Sequence, residues 1–349
     1  MLDYSIDKTT QKYTRHKNSY YDILIEKLSK FYNNNDILLL TSGQHANMTI
    51  INIIILKYIK CKINILYYND TYYESKQLLI LLQNLYNINL HEIDSNYDII
   101  LLLNNIKDDI NILFIESCSN PYGNIFNFDI IKNIKSLYKN VYIICDNTWL
   151  THKIFNPLDY DVDIITSSLT KHYSINKVIC GFCLINKNKE LYELLDNFIN
   201  MSGIHISIYS IKILINNLKY VDSTITKLSN MTKKIIKYLE NKNIIICHPM
   251  LENHINYKLS QKYFKDNLYP STFLIGFKSK TKIIDIQKIK LTILNIGVSF
   301  CSYLTKIDPL VFYEDDISYL RLSIGSNDNY SKIIKGIDEL ILLINYHYK

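Results

Sequence analysis

Residues 141–171 read VYIICDNTWLTHKIFNPLDYDVDIITSSLTK, and the reading of this stretch decides the fold. VYIICD (141–146) and VDIITSS (162–168) are short apolar runs with many β-branched residues, the composition of strands buried on both faces of a parallel sheet. Each run ends on polar side chains. Asp146 closes the first, while Thr166, Ser167 and Ser168 close the second and stand just ahead of Thr170 and Lys171. A surface lysine needs no such setting. A lysine that does covalent chemistry needs a pocket and a neighbour to hold, and hydroxyls beside it suit a bound phosphate.

Working outward, NILFIES (111–117) is a third run of the same kind. Between it and VYIICD, the residues Ile130, Ile131, Ile134, Leu137 and Tyr138 fall on one face of an amphipathic helix, which makes a βαβ unit. From Ile211 to Leu239, apolar residues at helical spacing predict one bent helix or two. Shorter strands follow, STFLIGF (271–277) and ISYLRLSIG (317–325), and a last helix carries Ile333, Ile334, Ile337, Leu340, Ile341 and Ile344. The expected organisation is an α/β fold in three parts: an N-terminal arm at 1–19, a large α/β domain at 20–208 and a small α+β domain at 209–349.

In open α/β sheets, functional groups gather at the carboxyl ends of the strands. Asn120 follows NILFIES, Asp146 ends VYIICD and Lys171 follows VDIITSS, so neighbouring strands would bring all three to one crevice. An acid, a lysine and hydroxyls at such an edge are what pyridoxal phosphate requires. The lysine carries the cofactor, the acid keeps the pyridine nitrogen protonated and the ring withdraws electrons from the substrate. LLLTSGQHANMTIINIIIL (38–56) adds an anion site, because Ser42, Gly43 and Gln44 stand where a strand turns into a helix.

Taken together, YTRHKN (13–18), NDTYYES (69–75), ESCSNP (116–121), CDNTWL (145–150), NPLDYDVDIITSSLTK (156–171) and LRLSIG (320–325) resemble the pyridoxal-phosphate enzymes of cysteine and methionine metabolism, the cystathionine γ-synthase and γ-lyase family. The resemblance implies a fold-type I pyridoxal-phosphate transferase (aspartate aminotransferase-like) with a smaller C-terminal domain. It implies that Lys171 holds the cofactor and moves protons, that Asp146 faces the ring nitrogen, that Asn120 approaches the ring hydroxyl and that Tyr72 stacks on the ring. Ser168, Thr170, Ser42 and the N–H groups of Gly43 and Gln44 would hold the phosphate, with Tyr13 and Arg15 reaching that of a neighbouring subunit. Arg321, assisted by Ser299, would clamp the substrate carboxylate.

The implied activity is elimination or replacement at Cγ or Cβ of a sulfur-containing or activated amino acid, with cystathionine as the first candidate substrate. Methionine γ-lyase and O-acylhomoserine sulfhydrylase activity are the alternatives within the class, and an inactive scaffold of the same fold is the alternative outside it. The implied assembly is a homodimer or homotetramer with shared active sites. Departures from the family pattern are Tyr73 and Glu74 in place of paired glycines, Cys118 in place of a proline and the loop HYSINKV (172–178).

Composition excludes other classes. The net charge is +6, but the lysines are scattered rather than gathered into a stripe, so no nucleic-acid partner is expected. TIINIIILKYI (49–59) is too short to span a bilayer, and the opening residues are polar, so no membrane association and a cytoplasmic location are expected. The seven cysteines lie mostly in apolar runs, which suits reduced, buried thiols. CGFC (180–183) has redox spacing, but within a strand it puts Cys180 and Cys183 on opposite faces, and no metal site is expected.

Overall fold

The structure, a computed structural model, describes residues 18–348 except 34, 95, 279–284 and 315. Seven strands form the larger sheet: β1 (Ile37–Leu40), β2 (Ile63–Tyr68), β3 (Ile88–Ile93), β4 (Ile110–Glu116), β5 (Val141–Asp146), β6 (Ile164–Ser168) and β7 (Gly181–Ile185). Their order is β1-β7-β6-β5-β4-β2-β3. Strands β2 to β6 are parallel, and β7 runs antiparallel to both of its neighbours.

Buried apolar clusters cover both faces of this sheet. Leu39, Leu113, Ile143, Ile165 and Leu184 point to one side, and Leu38, Phe114, Ile144, Ile164 and Cys183 to the other. Two-sided burial is why these strands read as unbroken apolar runs. Helices α1 (Ser19–Ser29), α2 (Gly43–Lys57), α3 (Tyr73–Leu85), α4 (Asn96–Asn105), α5 (Ile130–Leu137), α6 (Thr151–Ile154) and α7 (Lys189–Ser202) belong to this part of the chain. Ile131, Ile134 and Tyr138 bury the inner face of α5 as expected. Leu137 is 59% exposed, because the helix ends there and the chain turns extended at Tyr138.

The long apolar segment is two helices, α8 (Ile208–Leu218) and α9 (Val221–Glu240). The Tyr220 N–H bonds back to the Asn217 carbonyl, three residues away, which tightens and ends the first helix before the second begins. Val221 and Ile225 pack into the larger core, whereas Ile235, Ile236 and Leu239 belong to a third cluster. Helix α9 therefore spans both bodies. That third cluster lies under a five-stranded sheet of β8 (Ile245–Cys247), β9 (Thr272–Lys278), β10 (Asn295–Ile296), β11 (Lys306–Glu314) and β12 (Ile317–Ser323), in the order β10-β11-β12-β9-β8. Helices α10 (Tyr257–Tyr263) and α11 (Tyr330–Tyr348) complete the fold.

All seven cysteines are unpaired, and among them Cys61 is exposed. Cys180 and Cys183 lie in the clusters on opposite sides of the sheet, and burial pushes both thiols up, so neither is an activated nucleophile.

Candidate active site

Register brings the strand ends together. Glu116 at the end of β4 pairs with Asp146 at the end of β5, which pairs with Thr166 near the end of β6. Beyond β6, the Leu169 and Thr170 N–H groups both bond to the Cys180 carbonyl at 2.9 and 3.2 Å, so the chain turns sharply and delivers Lys171 to this edge.

Asp146 is held from two sides. Its Oδ2 accepts from Asn47 Nδ2 at 2.9 Å, and its Oδ1 accepts from the Thr148 N–H at 2.9 Å. Thr148 Oγ1 in turn accepts from the Ser168 N–H at 2.8 Å, tying the acid to the end of β6. Burial raises the Asp146 pKa, and the bonds from Asn47 and Thr148 oppose that rise. Glu116 is pushed well up by burial and then by Asp146 beside it. It accepts from the Tyr72 N–H at 2.7 Å, which fixes the entry to α3. Burial and the Glu74 carboxylate push the Tyr72 phenol up.

The helix α2 N-terminus closes on Ser168. A methyl group on Gly43 would stand 2.7 Å from Ser168 Cβ, and one on Gly181 would stand 2.3 Å from the Ser42 carbonyl oxygen, so glycine is required at both positions. Ser42 caps the helix by accepting from the His45 N–H at 3.0 Å. That leaves the Gly43 and Gln44 N–H groups at the first turn, where no intrahelical acceptor exists. Gln44 Nε2 donates to the Glu74 carbonyl at 3.1 Å, joining α2 to α3. A Gly43→Ala exchange overpacks this junction. It is expected to cost about 1–3 kcal/mol in thermal or denaturant unfolding.

Lys171 Nζ donates to Ser299 Oγ at 2.6 Å and lies 5.1 Å from the centre of the Phe300 ring. Burial holds its amine below the usual lysine range; the Cys301 thiol works against this and the charge of Arg321 adds to it. Ser299 and Cys301 both have positive φ, 73° and 59°, so the loop that presents Phe300 sits in a backbone region costly for non-glycine residues. Ser299 Oγ donates to Asn176 Oδ1 at 3.2 Å, and Asn176 Nδ2 donates to the Phe300 carbonyl at 2.8 Å. Buried His172, pushed down to about 4 by burial, sets its Nε2 3.1 Å from Cys301 Sγ.

Arg321 on β12 is 8% exposed. Its Nη1 donates to Asn120 Oδ1 at 2.8 Å, its Nη2 pairs with Asp308, and its Nε is buried with no protein partner.

Ser299 contacts Lys171, because its loop is tied to Asn176 in the turn after Lys171. Asn120 contacts the Arg321 guanidinium. The Thr170 hydroxyl donates to the Cys180 carbonyl and accepts from the Cys180 N–H. Tyr13 and Arg15 lie outside the described residues. Glu116, Asn47 and Asp308 were not picked out from sequence. A lone acid in an apolar run, as at Asp308, and a buried amide on an apolar helix, as at Asn47, were the available signals.

By fold, the chain is an aspartate aminotransferase-like, fold-type I structure. It is similar to the crystal structure of cystathionine γ-lyase from yeast, with a TM-score of 0.82 at 19% identity over 99% of this chain and 91% of that one. It is likewise similar to a putative O-acetylhomoserine (thiol)-lyase from Campylobacter jejuni carrying pyridoxyl-lysine-monophosphate, with a TM-score of 0.79 at 20% identity over 94% of this chain and 87% of that one. The chain belongs to the Cys/Met metabolism PLP-dependent enzyme family, whose profile matches residues 4–309. Among curated relatives, cystathionine β-lyase of Schizosaccharomyces pombe is 25% identical over 241 residues, 69% of this chain but 60% of that enzyme's length.

Pyridoxal phosphate is the cofactor of this family, and the residues present fit it. A glycine cradle stands at a helix N-terminus against the end of β6, a buried carboxylate ends the neighbouring β5 and a desolvated lysine amine follows β6. Among the described residues, no cluster of three or more metal-ligating side chains occurs, and no helix is long and apolar enough to cross a membrane.

Proposed function

We propose that the protein is a pyridoxal-phosphate-dependent lyase or transferase acting on a sulfur-containing or activated amino acid by elimination or replacement at Cγ or Cβ, with cystathionine as the first candidate. The observation that carries this reading is Lys171, with its amine depressed by burial and bonded to Ser299, set at the strand edge that also bears Asp146 and faces Arg321.

Gly43 and Gln44 would hold the cofactor phosphate with backbone N–H groups, assisted by Ser42 and Ser168. Asp146 would hold the proton on the pyridine nitrogen, and Tyr72 would cover the ring. Bound there, pyridoxal phosphate supplies an electron sink for negative charge at the substrate Cα. Arg321 would orient the substrate carboxylate through paired hydrogen bonds, with Asn120 and Asp308 fixing the guanidinium plane. Lys171 would take the Cα proton and, for chemistry at Cγ, also move one at Cβ; Ser299 aims its amine. Residues 209–349, read as a small domain, would bring Arg321 and Ser299 to a site built by residues 20–208. A homodimer or homotetramer in the cytoplasm completes the reading.

The test is product identity. The protein, with added pyridoxal phosphate, is offered cystathionine, methionine, cystine and O-acetylhomoserine with a thiol. Pyruvate marks elimination at Cβ, 2-oxobutyrate marks elimination at Cγ, and a new thioether or thiol amino acid marks replacement. Turnover of none of these, by a folded protein that binds the cofactor, would sink the reading.

A further inference from the structure

Helix α2 presents Ala46, Ile50, Ile51 and Ile54 to the sheet, all buried, and among these apolar neighbours stands an amide. Asn47 is 1% exposed and reaches both neighbouring strand ends. Its Nδ2 donates to Asp146 Oδ2 at 2.9 Å on β5, and its Oδ1 accepts from Thr166 Oγ1 at 2.5 Å on β6, where Thr166 is fully buried. A buried side-chain amide on an otherwise apolar helix face stabilises the fold only when both its ends are satisfied, and here both are.

The orientation of the amide matters. A carboxylate only accepts hydrogen bonds, so the NH2 end must face Asp146, and the carbonyl end is then left for a donor. The Thr166 hydroxyl is that donor, and its proton keeps the amide from turning over. Reversed, the amide would set its carbonyl oxygen against the Asp146 carboxylate. The other groups facing Asp146 are the Thr148 N–H on Oδ1, the Glu116 carboxyl from β4 and the thiol of Cys145. Burial disfavours a negative charge there. The hydrogen bonds from Asn47 and Thr148 are what favour it.

We infer that Asn47, locked by Thr166, is a positioning residue that keeps Asp146 a correctly aimed carboxylate for the pyridine nitrogen of the cofactor. The inference rests on the cofactor site described above. It predicts a loss confined to the ring nitrogen, since neither Asn47 nor Thr166 is placed among the groups that hold the phosphate.

The test compares the dissociation constants of pyridoxal phosphate and of its deaza analogue, in which a CH group replaces the ring nitrogen. Both are measured on the apoprotein by absorbance and fluorescence titration. Asn47→Leu is expected to weaken pyridoxal phosphate about tenfold, equivalent to about 1.4 kcal/mol, and to leave the analogue within about twofold of the parent. Thr166→Val is expected to give a smaller loss of the same selective kind, because the amide keeps its donor but loses its lock. Should Asn47→Leu fail to give a native circular-dichroism spectrum, the double variant Asn47→Leu/Thr166→Val removes both polar partners together, which cores tolerate better than an orphaned one. Equal losses for the two ligands, or unchanged affinity for both, overturn the inference while leaving the cofactor site standing. A parent protein that binds neither ligand overturns the cofactor site and this inference with it.

Discussion

Replacing Lys171 with alanine is expected to abolish the visible band that pyridoxal phosphate confers on the parent after free cofactor is removed, and to lower turnover by about 10²–10⁴-fold. Its amine is delivered by a turn tied at Leu169 and Thr170, lies over Phe300 and is aimed by Ser299, so a lysine elsewhere cannot reach the same point. The comparison is read as absorbance of dialysed parent and variant, with circular dichroism as the folding control. A variant that keeps the parent's band moves the cofactor lysine to another residue. No band in a folded parent would favour the inactive-scaffold alternative.

Arg321 carries the second large effect, and it acts on substrate affinity and stability at once. Its partner Asp308 is only 3% exposed, so Arg321→Ala strands a buried carboxylate, at an expected cost of about 3–5 kcal/mol in unfolding free energy. Arg321→Lys keeps a charge but not the planar fork, so it should hold Asp308 and lose the paired grip on a carboxylate. For Arg321→Lys, kcat/KM is expected to fall on the order of 10²–10³-fold, chiefly through KM, while cofactor binding stays near that of the parent. Should Arg321→Lys show an unchanged KM, the residue is structural, serving Asp308 and Asn120 alone. The double variant Arg321→Ala/Asp308→Ala checks the stability argument, because removing both charges should recover much of the loss.

Much of this was legible in the chain itself, for local reasons. The strands β4, β5 and β6 are buried on both faces and so are apolar without interruption. The chemistry-bearing residues sit at the carboxyl ends of those runs, a position that sequence order alone reveals. The family resemblance follows from motifs that each lie within a few consecutive residues. The less legible contacts cross long distances in the chain. Asn47 meets Asp146 over 99 residues, Lys171 meets Ser299 over 128 and Arg321 meets Asn120 over 201.

By itself, then, the sequence determined the α/β strands, the order of the motifs and the candidate lysine and acid, because those depend on periodicity and on which residue types end each run, while Arg321 followed from the family resemblance. Tertiary structure alone decided that Ser299 contacts Lys171, that Asn120 and Asp308 brace Arg321 and that the Thr170 hydroxyl bonds to Cys180. The physical reason is that a hydrogen bond is set by the position and direction of two groups in space. Two polar side chains far apart in the chain acquire that geometry only when the packing of the sheets and α9 brings their elements together.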